Sequence, residues 1–529
     1  MSDSAPLPPS DSSQRPISRA VIIAVLAASL MVGAFAISTQ SYWIDEATSL
    51  IVAMAASPAD AWKYAQAVGG SAIGAPLYHV YLYVWHKVFG SGEWAMRASN
   101  LPWFLLAQLA FLVLLRDRPR LALAATLLAA VSPAVWMYLD ETRPYLMQYA
   151  AGCWLVAAVA RLAAEIPDSP ASPAQPPRGI LLAAVVLAAV VLFGCHLVGA
   201  IWAAGLSSAL LWLYATRPDW APTAGIPSPT HRFRGLIALA SVAVFALVLY
   251  YIWSWSSPGG GHHGAFGSLL GLPFVAYEFL GLSGYGPGKL QLRTSVAGSL
   301  IRSLPALLPL CVIIAALVLF LLLQPGVRSL RRRTVVAWFL AVALPVLVIA
   351  SGLLLTSQRP LPRHFLPALP AVILGLAALI DLAFAQRHLV WRIVAILLPA
   401  LWLGSALNLR LREVHAKDDY RTASRLAAAA IADNKEVWWA ADAAAAYIYL
   451  TPVALQEVPG RAWAMQAPAW DDIRFKFPPR VIVISKPDIY DPQGAVARYA
   501  AENRFIPALQ LHAFTIFTRE GEELPAITP

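Results

Sequence analysis

The sequence predicts a mainly α, polytopic membrane protein of about eleven transmembrane helices, with a small C-terminal α/β domain outside the cytoplasm. Three observations predict this class. Of 529 residues, 59% are hydrophobic and only 13% are charged, about half the charged fraction of an ordinary soluble chain; mean hydropathy is +0.62. Eleven apolar runs approach the roughly 20 residues that a helix needs to cross a bilayer. After about residue 408 the charged residues return and the apolar runs stop.

Residues 1–18 are rich in Ser and Pro and read as a disordered cytoplasmic tail. The run 20–38 is too long for a signal-peptide core and no clear cleavage site follows, so it reads as a retained span. Further runs lie near 96–115, 121–139, 145–163, 180–196, 197–215, 235–254, 303–323, 334–355, 364–384 and 389–407. The fifth and sixth are fused in sequence; their combined length is about two bilayer crossings, which places a break at Phe193–His196. The transmembrane domain is thus expected over 19–408, with an outer loop at 39–94, and the terminal α/β domain over 409–529. In that domain Val437–Ala440, Val481–Ser485 and Ala513–Thr518 read as strands, and Tyr420–Asp433 and Gly494–Glu502 as helices.

Charge sets the orientation. Residues 76–90 are apolar but short, with His79, His86 and Lys87 inside. If they do not span, every strongly basic short loop falls on one side: Arg116, Arg118 and Arg120; Arg161 and Arg178; Arg217, Arg232 and Arg234; Arg328 and Arg331 to Arg333; Arg387 and Arg392. That is the positive-inside pattern, and it makes 76–90 an amphipathic helix at the outer interface. The formal charge of +10 is explained by these loops without nucleic-acid binding. The three cysteines lie in or beside apolar runs and give neither metal spacing nor a disulfide framework.

The same parity gathers the polar chemistry at the outer face. Trp43-Ile44-Asp45-Glu46-Ala47-Thr48 follows the first run, and adjacent carboxylates beside a bilayer are costly enough to mark a functional site. Asp140, Glu141 and Arg143, His196, Lys289, Arg293, Arg359, Arg363 and His364 share that face. No internal repeat of the kind common in transporters is evident. Gly259-Gly260-Gly261-His262-His263-Gly264 is not a phosphate loop, since no Gly-Lys-Ser/Thr follows, and reads as flexible.

Taken in order, Tyr42–Glu46, Ala75-Pro76-Leu77-Tyr78, Gly92–Arg97, Ser132-Pro133, Asp140-Glu141-Thr142-Arg143-Pro144-Tyr145 and Arg363-His364-Phe365-Leu366-Pro367 resemble the GT-C membrane glycosyltransferases. The closest likeness is the bacterial branch similar to protein O-mannosyltransferases and aminoarabinose transferases. It covers about 20–410. The turn departs from the commoner Gln-Glu-Ala-Arg-x-Tyr in having Asp140 and Thr142.

The resemblance implies transfer of a sugar from a polyprenyl-phosphate carrier to an acceptor hydroxyl at the outer face of the bacterial inner membrane. It makes Asp45 the base that such a hydroxyl requires, with Glu46 orienting it or pairing a loop cation. Arg363, Arg143 and His196 become candidates for the donor phosphate, since a lipid-phosphate leaving group needs fixed donors and cations as its charge builds. Asp140, Glu141, Tyr145, Tyr78 and His364 are candidate substrate contacts. The implied partners are membrane lipids, the polyprenyl-phosphate sugar, and an acceptor lipid, glycan or protein. No metal ligand set is assigned, and a divalent metal requirement stays open. The terminal domain reads as a lid or an acceptor-docking unit. A transporter or flippase of lipid-linked sugars and a non-catalytic envelope scaffold are the competing classes.

Overall fold

The structure is a computed structural model. It describes residues 16–68, 70–164, 179–216, 230–255, 271–324, 332–355, 360–451, 453–454, 463–466 and 478–525. The stretch Gly259–Gly264 and Arg359 lie outside the described residues.

Each of the eleven apolar runs contains a helix. Among the described residues, eight helices are long and apolar enough to span: Arg19–Ala36, Glu93–Leu114, Tyr145–Ala164, Leu197–Ala215, Val296–Leu323, Arg332–Leu355, Pro362–Ala385 and Leu389–Leu411. The other three runs hold helices as well. Pro119–Val131 and Pro133–Leu139 form a pair bent by 55°. Pro133 cannot donate a backbone hydrogen bond to the preceding turn. Ser132 caps the second half instead, its hydroxyl accepting from the Val135 amide at 3.4 Å. Gly179–Cys195 and Thr230–Trp255 are the helices of the remaining two runs.

The expected break at Phe193–His196 is present. His196 is extended at φ −168° and caps the next helix, its Nδ1 accepting from the Val198 amide at 3.1 Å. Tyr145–Ala164 is the central helix, with 72% of its apolar window buried, against 17% for Arg19–Ala36 and for Arg332–Leu355 at the periphery. Arg332–Leu355 widens to a π-turn at Phe339–Ala343 before Pro345. Its neighbour approaches there through Gly205, where a Cβ would lie 2.4 Å from Pro345 Cγ.

Pro76–Phe89 is a helix of 14 residues, about 21 Å long and short of a crossing. Tyr78, His79 and Leu82 are buried on one face, while Val80, Val84 and Val88 form an exposed stripe at i, i+4 and i+8.

The C-terminal segment folds as a six-stranded mixed sheet. Its strands are β1 (Val437–Ala440), β2 (Val453–Ala454), β3 (Ala464–Gln466), β4 (Val481–Ser485), β5 (Phe505–Leu511) and β6 (Phe514–Arg519), in the order β2-β3-β1-β4-β6-β5. β1 pairs parallel with β3 and β4; β6 pairs antiparallel with β4 and β5. Alternation splits the core. Val437, Trp439, Val481 and Val483 face helix Tyr420–Ala432, and Trp438, Ala440, Ile482 and Ile484 face helix Ala495–Glu502. Asp419 caps the first of these helices, accepting from the Thr422 amide at 3.1 Å. The buried Asp418 beside it pairs with Lys486.

This sheet is seated on the membrane part. Ala47, in the helix Ile44–Ala53, belongs to the same buried cluster as Tyr420, Trp439 and Phe514, with Ile44 packed against it. Tyr449 Oη accepts from the Tyr42 amide at 2.7 Å and donates to Glu93 Oε1 at 3.1 Å. Arg421 pairs with Glu93 at 3.0 Å.

Candidate active site

Asp45 and Glu46 occupy the first turn of helix Ile44–Ala53, where the helix dipole favours carboxylates. Consecutive helical residues point about 100° apart, so the two acids take opposite fates. Glu46 is fully buried. Its Oε1 and Oε2 each accept from the Arg97 guanidinium at 2.8 Å. Lys417 Nζ reaches Oε2 at 3.0 Å, and the Thr142 amide donates to Oε1 at 3.0 Å. Burial alone would raise the Glu46 pKa, but Arg97, Lys417 and these hydrogen bonds bring it down to about 2.

Arg97 spends its other donors on the incoming loop: the carbonyls of Ser38, Gln40 and Ser41 at 3.0, 2.7 and 3.0 Å. Asp140 holds the same loop, accepting from the Ser38 amide at 2.5 Å and the Ser38 hydroxyl at 2.8 Å. Lys417 lies 3.5 Å from Asp140 Oδ2 and also donates to the Asp140 carbonyl. Glu46 and Asp140 are thus locking residues at the base of the site, and the cation that Glu46 was expected to meet is a pair, Arg97 and Lys417.

Asp45 lies at the edge of solvent-accessible space. Its side chain is 29% exposed and its Oδ2 lies 2.5 Å from Nη1 of Arg363, itself 31% exposed. Burial would raise the Asp45 pKa; Arg143, Arg363 and Lys289 overcome this and hold it below the usual aspartate value. Arg143 is buried and ties the turn to the helix: it donates to the Asp45 carbonyl at 2.9 Å, Thr48 Oγ1 at 3.2 Å and Ser49 Oγ at 3.1 Å, and lies over the Tyr145 ring at 5.6 Å. Lys289 projects into the same space, 63% exposed, 3.5 Å from Glu141 Oε1 and 4.3 Å above the Trp43 ring.

The other expected residues line this cluster. Burial pushes the His196 pKa down to about 3, with His364, Arg143 and Arg363 adding to the effect. Its ring is therefore neutral, and because Nδ1 accepts from Val198 the proton sits on Nε2. His364 Nδ1 likewise accepts from the Leu361 amide at 3.3 Å. Tyr78 is buried beside His79, whose pKa burial also depresses to about 3. Glu141 is buried and its pKa is raised, chiefly by that burial.

Four residues were not assigned roles from sequence: Arg97, Lys417, Lys289 and Glu278. The turn Gly281–Gly288 joins the last two and is strapped to the final span. Ser405 Oγ donates to the Gly281 carbonyl at 2.6 Å and accepts from the Gly284 amide at 3.0 Å. A Cβ on Gly284 would lie 1.9 Å from the Ser405 carbonyl oxygen, so the close approach needs glycine. The Gly-rich composition of that turn was its sequence signal.

Among the described residues, no group of three or more His, Cys, Asp and Glu is placed to hold a metal ion. A cavity of about 510 Å³ between Arg120, Asp381 and Arg392 lies toward the opposite ends of its helices and shares no residue with this cluster.

The helical bundle with a small sheet docked on one end has a GT-C-like fold. Among solved structures the chain is similar to ArnT from Cupriavidus metallidurans in the apo state, an aminoarabinose transferase, with a TM-score of 0.52 and 15% identity over 94% of this chain and 97% of that one. The same protein bound to undecaprenyl phosphate gives a TM-score of 0.49 at 15% identity, covering 96% of this chain and 100% of that one. Arabinofuranosyltransferase AftD from Mycobacteria gives 0.40 at 12% identity, covering 97% of this chain and 40% of that one. No protein-family model and no curated protein matches the chain.

Proposed function

We propose that this chain transfers a sugar from a polyprenyl-phosphate carrier to an acceptor hydroxyl at the outer face of the bacterial inner membrane. The observation that carries the proposal is the accessible Asp45–Arg363 pair at 2.5 Å, beside Arg143 and Lys289. A carboxylate and a guanidinium that both reach solvent are available for exchange with substrate, whereas the Glu46–Arg97 pair is sealed.

The donor phosphate competes with Asp45 for Arg363, whose planar fork suits phosphate oxygens. Its negative charge also offsets the cations that depress the Asp45 pKa, so donor binding strengthens the base. Asp45 then takes the acceptor hydroxyl proton while the acceptor oxygen bonds to the anomeric carbon. The carbon–oxygen bond to phosphate breaks, and its electron pair stays on the phosphate that Arg363 and Lys289 hold. His196 and His364, each accepting on Nδ1, are left with Nε2 to turn toward the substrate. The released proton leaves from Asp45 to water.

In the membrane, the exposed valine stripe of Pro76–Phe89 lies in the outer leaflet boundary, and the Arg-rich turns at the opposite ends of the helices face the cytoplasm. Residues 1–18 form the inner tail, 19–408 the catalytic membrane domain and 409–529 a periplasmic unit that holds the catalytic helix. The acceptor is a lipid, glycan or protein hydroxyl. Purified protein in lipid, given labelled polyprenyl-phosphate sugars and a membrane extract, should label the extract. Folded, pure protein that transfers from no donor in a broad panel would contradict the proposal.

A further inference from the structure

Glu278 lies on the helix Gly271–Phe279, which packs on the Pro362–Phe365 turn that carries Arg363 and on Pro133–Leu139, which carries Tyr138. Only 4% of the residue is exposed. The Tyr138 hydroxyl lies beside its carboxyl, and Oε1 has no partner among the described residues. Lys289, Glu141 and Arg363 are all within electrostatic reach. A buried carboxyl oxygen with no partner costs stability. Such a cost, at the rim of a reactive cluster, is characteristic of a group kept for binding.

We propose that Glu278 contacts substrate: with Glu141 across Lys289 it forms an acidic wall beside the Asp45–Arg363 pair and takes a sugar-type hydroxyl, from the donor ring or from the acceptor. This rests on the transferase reading. Carboxyls accept from hydroxyls and the Lys289 ammonium donates to them, the complement that a polyol needs. Burial raises the Glu278 pKa to about 8, so near neutral pH the group is mostly protonated and both donates and accepts. Asp45 is pushed the other way, and such divergence between neighbouring carboxyls separates their roles.

The test uses full-length protein carrying Glu278→Gln or Glu278→Met, with thermal midpoints taken from pH 5 to pH 8 and KM measured for donor and acceptor separately. An acid whose pKa is raised by folding binds more protons folded than unfolded between about 4.5 and 8, so its contribution to stability falls as pH rises. The groups facing it, namely Tyr138, Tyr277, Glu141, Lys289 and Arg363, are the same in both variants. The midpoints of the variants should therefore equal or exceed that of the wild type, by a margin that grows toward pH 8. KM for one substrate should rise about tenfold, the scale of a lost hydrogen bond to an ionisable group. A rise for the donor assigns the hydroxyl to its ring, and a rise for the acceptor assigns it there. Lower midpoints in both variants, with or without loss of turnover, would make Glu278 structural and overturn the proposal. So would unchanged KM values in an active protein. A wild type that transfers from no donor would remove the transferase reading itself.

Discussion

At the scale of residues, two adjacent acids do different work because a helix turns them apart. Glu46 belongs to a sealed network with Arg97, Lys417 and the Thr142 amide. Glu46→Gln removes the carboxylate that the buried Arg97 and the part-buried Lys417 share and leaves them only Asp140, a change that costs about 3 kcal/mol and should appear as a lower thermal midpoint. The network also has a pH signature. Because folding lowers the Glu46 pKa to about 2, its contribution is present above the unfolded value near 4.5 and lost as pH falls toward 2. Thermal midpoints measured from pH 6 to pH 3 should fall in the wild type, and less in Glu46→Gln; equal slopes contradict the network. Arg363 is expected to behave as a binding residue. Arg363→Ala should weaken donor binding and lower turnover, and Arg363→Lys should restore only part, since lysine keeps the charge and loses the fork. Equilibrium binding of a labelled donor checks this, and unchanged affinity in Arg363→Ala counts against the role. Asp45, Arg143 and Arg363 were legible because polar residues at helix ends stand out against apolar runs. Arg97 and Glu278 were not, since their partners lie far away in sequence. An arginine at the head of an apolar span must pair with something, and that was the signal for Arg97.

At the scale of elements, prolines and caps marked the breaks well. Ser132-Pro133 bends one helix, and His196 ends one and starts another. β1 and β4 were readable as short apolar runs. β2 and β3, of two and three residues, carry too little pattern to be seen. β5 is an edge strand with Pro507 and a bulge at Pro507/Leu509, which hides its alternation. What sequence did not disclose is that the terminal sheet shares its core with the helix Ile44–Ala53 through Ala47. Ala47→Arg forces a long charged side chain into that fully buried contact. It should unseat the sheet, speed limited proteolysis in the 409–417 joint, and lower turnover at least tenfold. Unaltered cleavage and turnover would mean that docking of the sheet is dispensable.

At the scale of the whole molecule, the hydropathy runs disclosed the bundle, and the arginines carry the proposal for its orientation. The positive-inside pattern predicts that Ser91 and Gln493 both face the periplasm. In a background lacking Cys153, Cys195 and Cys311, Ser91→Cys and Gln493→Cys should each react with an impermeant thiol reagent on intact cells. Protection of the second site alone, with both reactive after lysis, would break the topology.

The central claim is that Asp45 is the base of a lipid-linked sugar transfer. The direct measurement is single-turnover transfer from a saturating polyprenyl-phosphate sugar to the acceptor, in wild type and in Asp45→Asn, beside donor affinity and thermal midpoint. Asparagine keeps the size and much of the hydrogen bonding but cannot take the proton. Asp45→Asn should fold and bind donor at least as well, because Arg363 is released, and should lose about a hundredfold or more in rate. A rate within a few-fold of the wild type would contradict the account.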